Sequence, residues 1–275
     1  MVEARLRPRG PYSLRLTSWT DTWHCALPGD EWASARQARD GTVLVRASSE
    51  EAVEEARFVL ALDDDTTEFH RRFAHDPLLG PSVRTLRGLR PRRTATVTHA
   101  ALKAVCGQLI QSRRARDIEH TVIRRSRAPV PTRESLARLG AADLCACGLA
   151  PSRAATLARL VRLDLERLRG LTGDGVYRRL ARERGVGPWS VGVIALAGLG
   201  RYDRGLVGDL ALVKLQAALT GVWPEQDETA ALLEPYQEWQ GLASVFLLSG
   251  FGRGLVPGAD PDRARLARAR AARAA

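Results

Sequence analysis

Two helical segments joined by four residues, with a carboxylate at a set distance beyond them, constrain this chain more than any other feature. The stretch from Tyr177 to Leu212 reads YRRLARERGVGPWSVGVIALAGLGRYDRGLVGDLAL. Gly185-Val186-Gly187-Pro188 interrupts two helical patterns, and glycine at a tight connection permits backbone angles that a side chain forbids. It also lets another molecule come close to the main chain. Val186 between the glycines is placed to plug the turn into the core. Ser190–Leu199 (SVGVIALAGL) is apolar nearly all round and rich in small residues, which predicts a buried helix closely packed by its neighbours. Asp209 follows 20 residues after Trp189, at the head of another apolar helical pattern. The amides ahead of the second helix are then expected to face outward as an anion site.

Around this stretch the chain divides by periodicity. Tyr12–Thr17 and Thr42–Arg46 alternate apolar with polar residues, and Pro28-Gly29-Asp30 marks a turn between them. Ser48 and Ser49 precede EEAVEEARFVLAL, a helix start with acidic residues in its first turn. From Asp63 onward the pattern is helical. One stripe is Ala101, Leu102, Val105, Cys106 and Leu109 behind a polar Thr98. A second is Leu157, Leu160, Val161 and Leu168 after Ser152. Leu210–Leu219 and Leu242–Leu248 supply two more. The expectation is a mainly α chain with an N-terminal α+β lobe. Residues 1–62 form the sheet lobe, 63–98 with 206–275 one helical subdomain, and 99–205 a second one carrying the hairpin. The tail from Asp262 holds five arginines among alanines and is assigned nothing beyond its charge.

That charge matters for partners. Lys+Arg total 42 against 31 acidic residues, a net charge of +11, which suits a polyanion whose counterions are released on binding. Cys25, Cys106, Cys145 and Cys147 form no CxxC pair and no metal spacing, so no metal site is expected. The N-terminus MVEARLRPRGPY lacks a signal-peptide core and no apolar run approaches 18 residues. A cytoplasmic protein is therefore expected.

GVGPWSVGVIAL, GDLALVKL and AVCGQLIQSRRA together resemble the hairpin, aspartate segment and DNA-entering loop of the helix-hairpin-helix DNA glycosylases. The similarity is closest to the DNA-3-methyladenine glycosylase II type and covers essentially the whole chain. It implies the helix-hairpin-helix glycosylase fold and the hydrolytic excision of alkylated purines such as 3-methyladenine and 7-methylguanine. It also implies action as a monomer on damaged double-stranded DNA. Asp209 takes the catalytic place, which its position ahead of a helix also fits as a cap. Trp189 stands where the superfamily's lyase lysine is found, which implies no Schiff base and no strand cleavage. Trp189 also becomes a wall of the base pocket. Val193, Leu210 and Leu248 occupy places that are aromatic in the nearest relatives, with Trp239 and Phe246 as core residues able to fill them.

Leu109 after Gln108 matches the wedge that fills the space of a flipped base, with Ile110 as the alternative. Gly185, Gly187, Gln108 and Arg113, clustered with Arg114 and Arg116, complete the expected DNA contacts. His99 and His120 are read as structural. A monovalent cation in the hairpin, sodium or potassium, is implied by the resemblance alone, and no other cofactor is expected. A glycosylase for deaminated or oxidised bases and a non-catalytic DNA-binding module are the alternatives.

Overall fold

Alternation of inward and outward side chains builds an N-terminal sheet, described here from a computed structural model covering residues 1–108 and 110–274. Strands β1 (Val2–Leu6), β2 (Thr22–Ala26), β3 (Trp32–Gln37) and β4 (Val43–Ala47) pair antiparallel in the order β1-β4-β3-β2. Trp23, Ala33, Ala35, Val43, Val45 and Ala47 face inward, against Ala52, Val53, Ala56 and Val59 of helix α2 (Glu50–Val59). Ser49 caps α2 by accepting from the Ala52 amide at 3.1 Å. The expected strand at Tyr12–Thr17 is instead helix α1 (Leu14–Ser18). Ser13 caps it, and the Leu14 amide donates to Gln37 Oε1 at 2.9 Å, so local capping overrides a three-step alternation. The Pro28 turn therefore joins β2 to β3, with the Leu27 amide donating to Glu31 O at 2.7 Å.

The rest is helical. Helices α3 (Thr67–Phe73), α4 (Gly80–Thr85), α5 (Val97–Gly107) and α6 (Ser112–Ser126) come first. Next are α7 (Arg133–Ala137), α8 (Ala141–Ala146), α9 (Pro151–Leu160), α10 (Gly175–Ala181) and α11 (Pro188–Ile194). The chain ends with α12 (Leu210–Thr220), α13 (Thr229–Leu233), α14 (Gln240–Phe251) and α15 (Pro261–Ala274). One apolar core runs from Phe69 to Val256 through nearly all of them. Helix α5 sits inside it, with Ala100 through Leu102 and Ala104 through Cys106 buried. Its cap is Thr96, whose hydroxyl accepts from the His99 amide, and Thr98, the polar residue ahead of the stripe, lies inside the helix. Thr98 is taken up elsewhere: Glu166 accepts from its amide and hydroxyl at 3.0 and 2.9 Å. Leu168 lies in a separate 3-10 turn (Glu166–Gly170) and not on the α9 stripe, although both contribute to the core.

The predicted buried helix over 190–199 is α11 continued by a π-helical turn, Ala195–Leu199. Its small residues have direct packing reasons. A Cβ on Gly198 would meet Ala100 at 2.9 Å, so α11 and α5 approach at backbone distance. Between the lobe and the helical body, Arg90 is only 1% exposed and donates to the carbonyls of Arg9, Pro11 and Ala61. Arg93 reaches Asp64 at 2.5 Å, and Arg169 reaches Glu55 at 3.2 Å. No helix among the described residues is long and apolar enough to cross a membrane.

Candidate active site

The hairpin forms as the glycine pattern predicts, but its two glycines differ in kind. Gly185 has φ +87°, a left-handed conformation, and any side chain there would also strike Thr156. Gly187 has φ −96° and ψ −179°, ordinary extended backbone, and beyond its chain neighbours no heavy atom of the described residues lies within 4 Å of a Cβ built on it. Among the described residues nothing requires glycine at 187. Val186 is 7% exposed and packs into the central core. The Arg184 carbonyl accepts from Thr156 Oγ1 at 3.2 Å and from Arg159 at 2.5 Å. The Gly185 carbonyl accepts from Gln108 Nε2 at 2.7 Å. Among the described residues the Val186 carbonyl accepts no hydrogen bond.

Asp209 and Trp189, 20 residues apart in sequence, are in direct contact. The indole Nε1–H donates to Asp209 Oδ2 at 2.9 Å. Asp209 Oδ1 accepts from the Ala211 amide at 2.8 Å, so the aspartate caps α12 while presenting its other oxygen to Trp189. The carboxylate is half-buried. A carboxylate held by a backbone amide and an indole N–H is fixed in place and aimed in one direction.

The opposite end of the indole is fixed as well. A Cβ at Gly107 would come within 2.6 Å of Trp189 Cη2. The last turn of α5 therefore closes on the far rim of the ring, and the indole spans from Gly107 to Asp209. The sequence reading missed Gly107, because a glycine near a helix end looks like a cap. Here its φ is not positive, and its reason is the tryptophan.

The loop leading to Asp209 is latched in place. Tyr177 on α10 donates to Asp203 at 2.5 Å, and Arg204 pairs with Asp174 while stacking 4.5 Å over the Tyr177 ring. Burial, reinforced by Asp203, pushes the Tyr177 hydroxyl up to about 12, so it stays a donor. The Gly208 amide donates to Thr229 Oγ1 at 2.7 Å and the Leu206 amide to Ser244 Oγ at 3.1 Å. A Cβ on Gly192 would clash with the Gly205 carbonyl, so this loop also lies directly on α11. Thus the hairpin's two helices and the α13–α14 region all fix where Asp209 stands.

Of the remaining expected site residues, Val193 is 9% exposed within the central core, and Trp189 and Leu248 are half-buried against that core. Leu210 is half-buried in the first turn of α12, adjacent to Asp209. Phe246 is fully buried in a cluster with Phe69 and His70, and Trp239 stacks on Tyr202 at 6.0 Å. Both are thereby accounted for as core. Gln108 spends its amide on the hairpin, donating to Ser190 Oγ at 3.0 Å as well as to Gly185. It braces the α5–α6 connection against the hairpin. Leu109 lies outside the described residues, and Ile110 is half-buried against the core. Arg113, Arg114 and Arg116 are exposed on the first turns of α6. His99 pairs with Glu119 at 2.8 Å, which pins α5 to α6. The Cys106 thiol is buried and pushed up to about 12 by burial, which leaves it unreactive.

No family model matches the chain. DNA-3-methyladenine glycosylase of Bacillus subtilis (strain 168) is 24% identical over 204 residues, 68% of this chain and 67% of that protein. Among solved structures, 3-methyladenine DNA glycosylase from Archaeoglobus fulgidus superposes with a TM-score of 0.76 at 18% identity, covering 92% of this chain and 99% of that one. The 8-oxoguanine glycosylase/lyase of Clostridium acetobutylicum, in complex with double-stranded DNA, gives 0.72 at 17% identity, covering 92% and 99%. Sheet lobe, hairpin and helical body together give the chain the fold of these helix-hairpin-helix DNA glycosylases.

Proposed function

We propose that this protein is a monofunctional DNA glycosylase that flips alkylated purines out of duplex DNA and hydrolyses their N-glycosidic bond. The observation that carries this reading is the half-buried Asp209 carboxylate, clamped by the Ala211 amide and the Trp189 indole. As the C1′–N bond lengthens, its electron pair leaves with the base and positive charge builds on the deoxyribose. A fixed anion stabilises that charge without reorganising. Water then bonds to C1′ and gives up its proton, with Asp209 placed to orient it or take the proton. An alkylated purine leaves as a neutral base, so a single carboxylate suffices. The target carbon is unreachable inside the stack, hence the flip. The flipped base would enter beside the Trp189–Asp209 pair, whose two members come from segments 99–205 and 206–275. A monovalent cation at the Val186 carbonyl would add positive charge beside a phosphate, and no step of base release runs through it.

The test is base release from duplexes carrying 3-methyladenine, 7-methylguanine, hypoxanthine or 8-oxoguanine. Release of the two alkylated bases ahead of the neutral ones supports the reading. Preference for 8-oxoguanine would move the substrate to oxidised bases, and no release at all would leave only a DNA-binding protein.

Lyase chemistry requires an amine. Of the 42 basic residues only Lys103 and Lys214 are lysines, on α5 and α12, and the hairpin exit carries Trp189. Borohydride is expected to trap no covalent protein–DNA adduct, and strand scission is expected only after alkali. A trapped adduct, seen as a shifted gel band, contradicts the monofunctional assignment.

The hairpin glycines allow a clean separation of folding from binding. Gly187→Val meets no neighbour among the described residues and no backbone strain. Its melting temperature is expected to stay within a few degrees, because glycine at a helix cap is worth at most about 1 kcal/mol over a poor cap. Affinity for damaged and undamaged duplex is expected to fall alike, since a phosphate contact carries no base information. Gly185→Val, at φ +87° and against Thr156, is expected to lower stability itself.

A further inference from the structure

The C-terminal arginine helix lies against the helix that carries Asp209, and its arginines divide into two groups. Arg263 donates to the Ala218 and Leu219 carbonyls at 3.2 and 2.9 Å, completing the C-terminal end of α12. Arg265 pairs with Asp262, and Arg268 sits 5.8 Å from the centre of the Trp223 ring. These three have partners within the chain. Arg270 and Arg273 are exposed, and among the described residues no carboxylate lies within ion-pair distance of either. With Leu266, which is 60% exposed, they fall at i, i+4 and i+7, a single stripe on the side away from α12.

Their position follows from the packing. Helix α15 begins at the C-terminal end of α12, where the Asp260 amide donates to Ala218 O at 3.1 Å. It then turns back along α12. Ala264 and Ala267 pack on Ala217 and Ala218, Val213 one turn nearer to Asp209 is buried, and Ala271 one turn beyond Ala267 is half-buried. Asp209 precedes Leu219 by as many residues as Arg273 follows Arg263. At about 1.5 Å per residue both intervals are roughly 15 Å. Continued along α12 over that length, α15 carries Arg270 and Arg273 from the C-terminal end of α12 toward the end that presents Asp209.

We propose that Arg270 and Arg273 hold the phosphodiester backbone of the duplex flanking the lesion, so that α15 is an additional DNA-contacting element beside the active site. This rests on the glycosylase reading for the identity of the duplex. Guanidinium groups without an internal partner, on a helix already rigidly packed, bind phosphate without ordering a new segment.

The experiment is the salt dependence of binding to a duplex containing an abasic-site analogue, by fluorescence anisotropy between 50 and 200 mM KCl. The proteins are wild type, Arg270→Gln/Arg273→Gln, and a charge-matched control, Arg36→Gln/Arg39→Gln, on the exposed surface of the lobe. Each phosphate contact contributes about 0.9 to the slope of log K against log salt. Loss of two should reduce that slope by about 1.8 and weaken binding at 50 mM by roughly tenfold relative to 200 mM. The control should change the slope little, and all three should melt alike. A slope equal to that of wild type, or a drop matched by the control, overturns the proposal. If the slope falls as expected in a protein that releases no base, this contact stands and the catalytic reading fails.

Discussion

Asp209→Asn is expected to reduce base release by roughly 10³-fold while leaving the fold and duplex binding intact. Removing one preorganised group that stabilises transition-state charge costs about 10²–10³ in rate, and in the proposed reaction a full negative charge facing the oxocarbenium is lost. Stability is insulated from the change, because asparagine caps a helix about as well as aspartate. The asparagine faces a conflict that the structure makes explicit. If its oxygen accepts from the Ala211 amide, its NH₂ group confronts the Trp189 N–H, donor against donor. Single-turnover excision of 7-methylguanine, with binding measured in parallel on the same duplex, separates the effects. Excision within tenfold of wild type would remove Asp209 from the chemistry.

Trp189→Phe is expected to lower single-turnover excision by about ten- to a hundredfold, and Trp189→Ala by more. A hydrogen bond to a charged acceptor is worth about 1.5–3 kcal/mol, and about 1.4 kcal/mol corresponds to a factor of ten in rate. Phenylalanine keeps an aromatic face but has no N–H for Asp209 and does not span to Gly107. Alanine also removes the face that stacks on a cationic base, worth roughly 0.5–2 kcal/mol. The two variants thus separate orientation of the carboxylate from stacking on the base. If phenylalanine matches wild type on 7-methylguanine while alanine fails, Trp189 acts by stacking alone. Gly107→Ala offers an independent check. It displaces the indole from the opposite rim and should lower the rate in the same direction without touching Asp209.

Much of this molecule was legible before any coordinates, and the reason is local. The helix–GVGP–helix pattern, the buried small-residue helix after it and Asp209 at the head of α12 each obey rules that operate within a few residues. Capping, periodicity and glycine's conformational freedom are rules of that range. Where two local signals competed, reading failed: the alternation at Tyr12–Thr17 lost to a serine cap and a glutamine reaching from β3.

What the linear chain determined, then, is that the chain beyond Asp63 is helical, where the hairpin turns and which residue offers a carboxylate. Tertiary structure alone decided that Trp189 donates to Asp209, that Gly107 is small because an indole ends against it, and that Arg90 disappears among three carbonyls. It also folded the arginine tail back along α12 and left Arg270 and Arg273 facing outward. Those pairings join residues about 20 to 80 positions apart. They depend on how helices cross and on which small side chains let backbones approach, and no periodicity within a single segment records either.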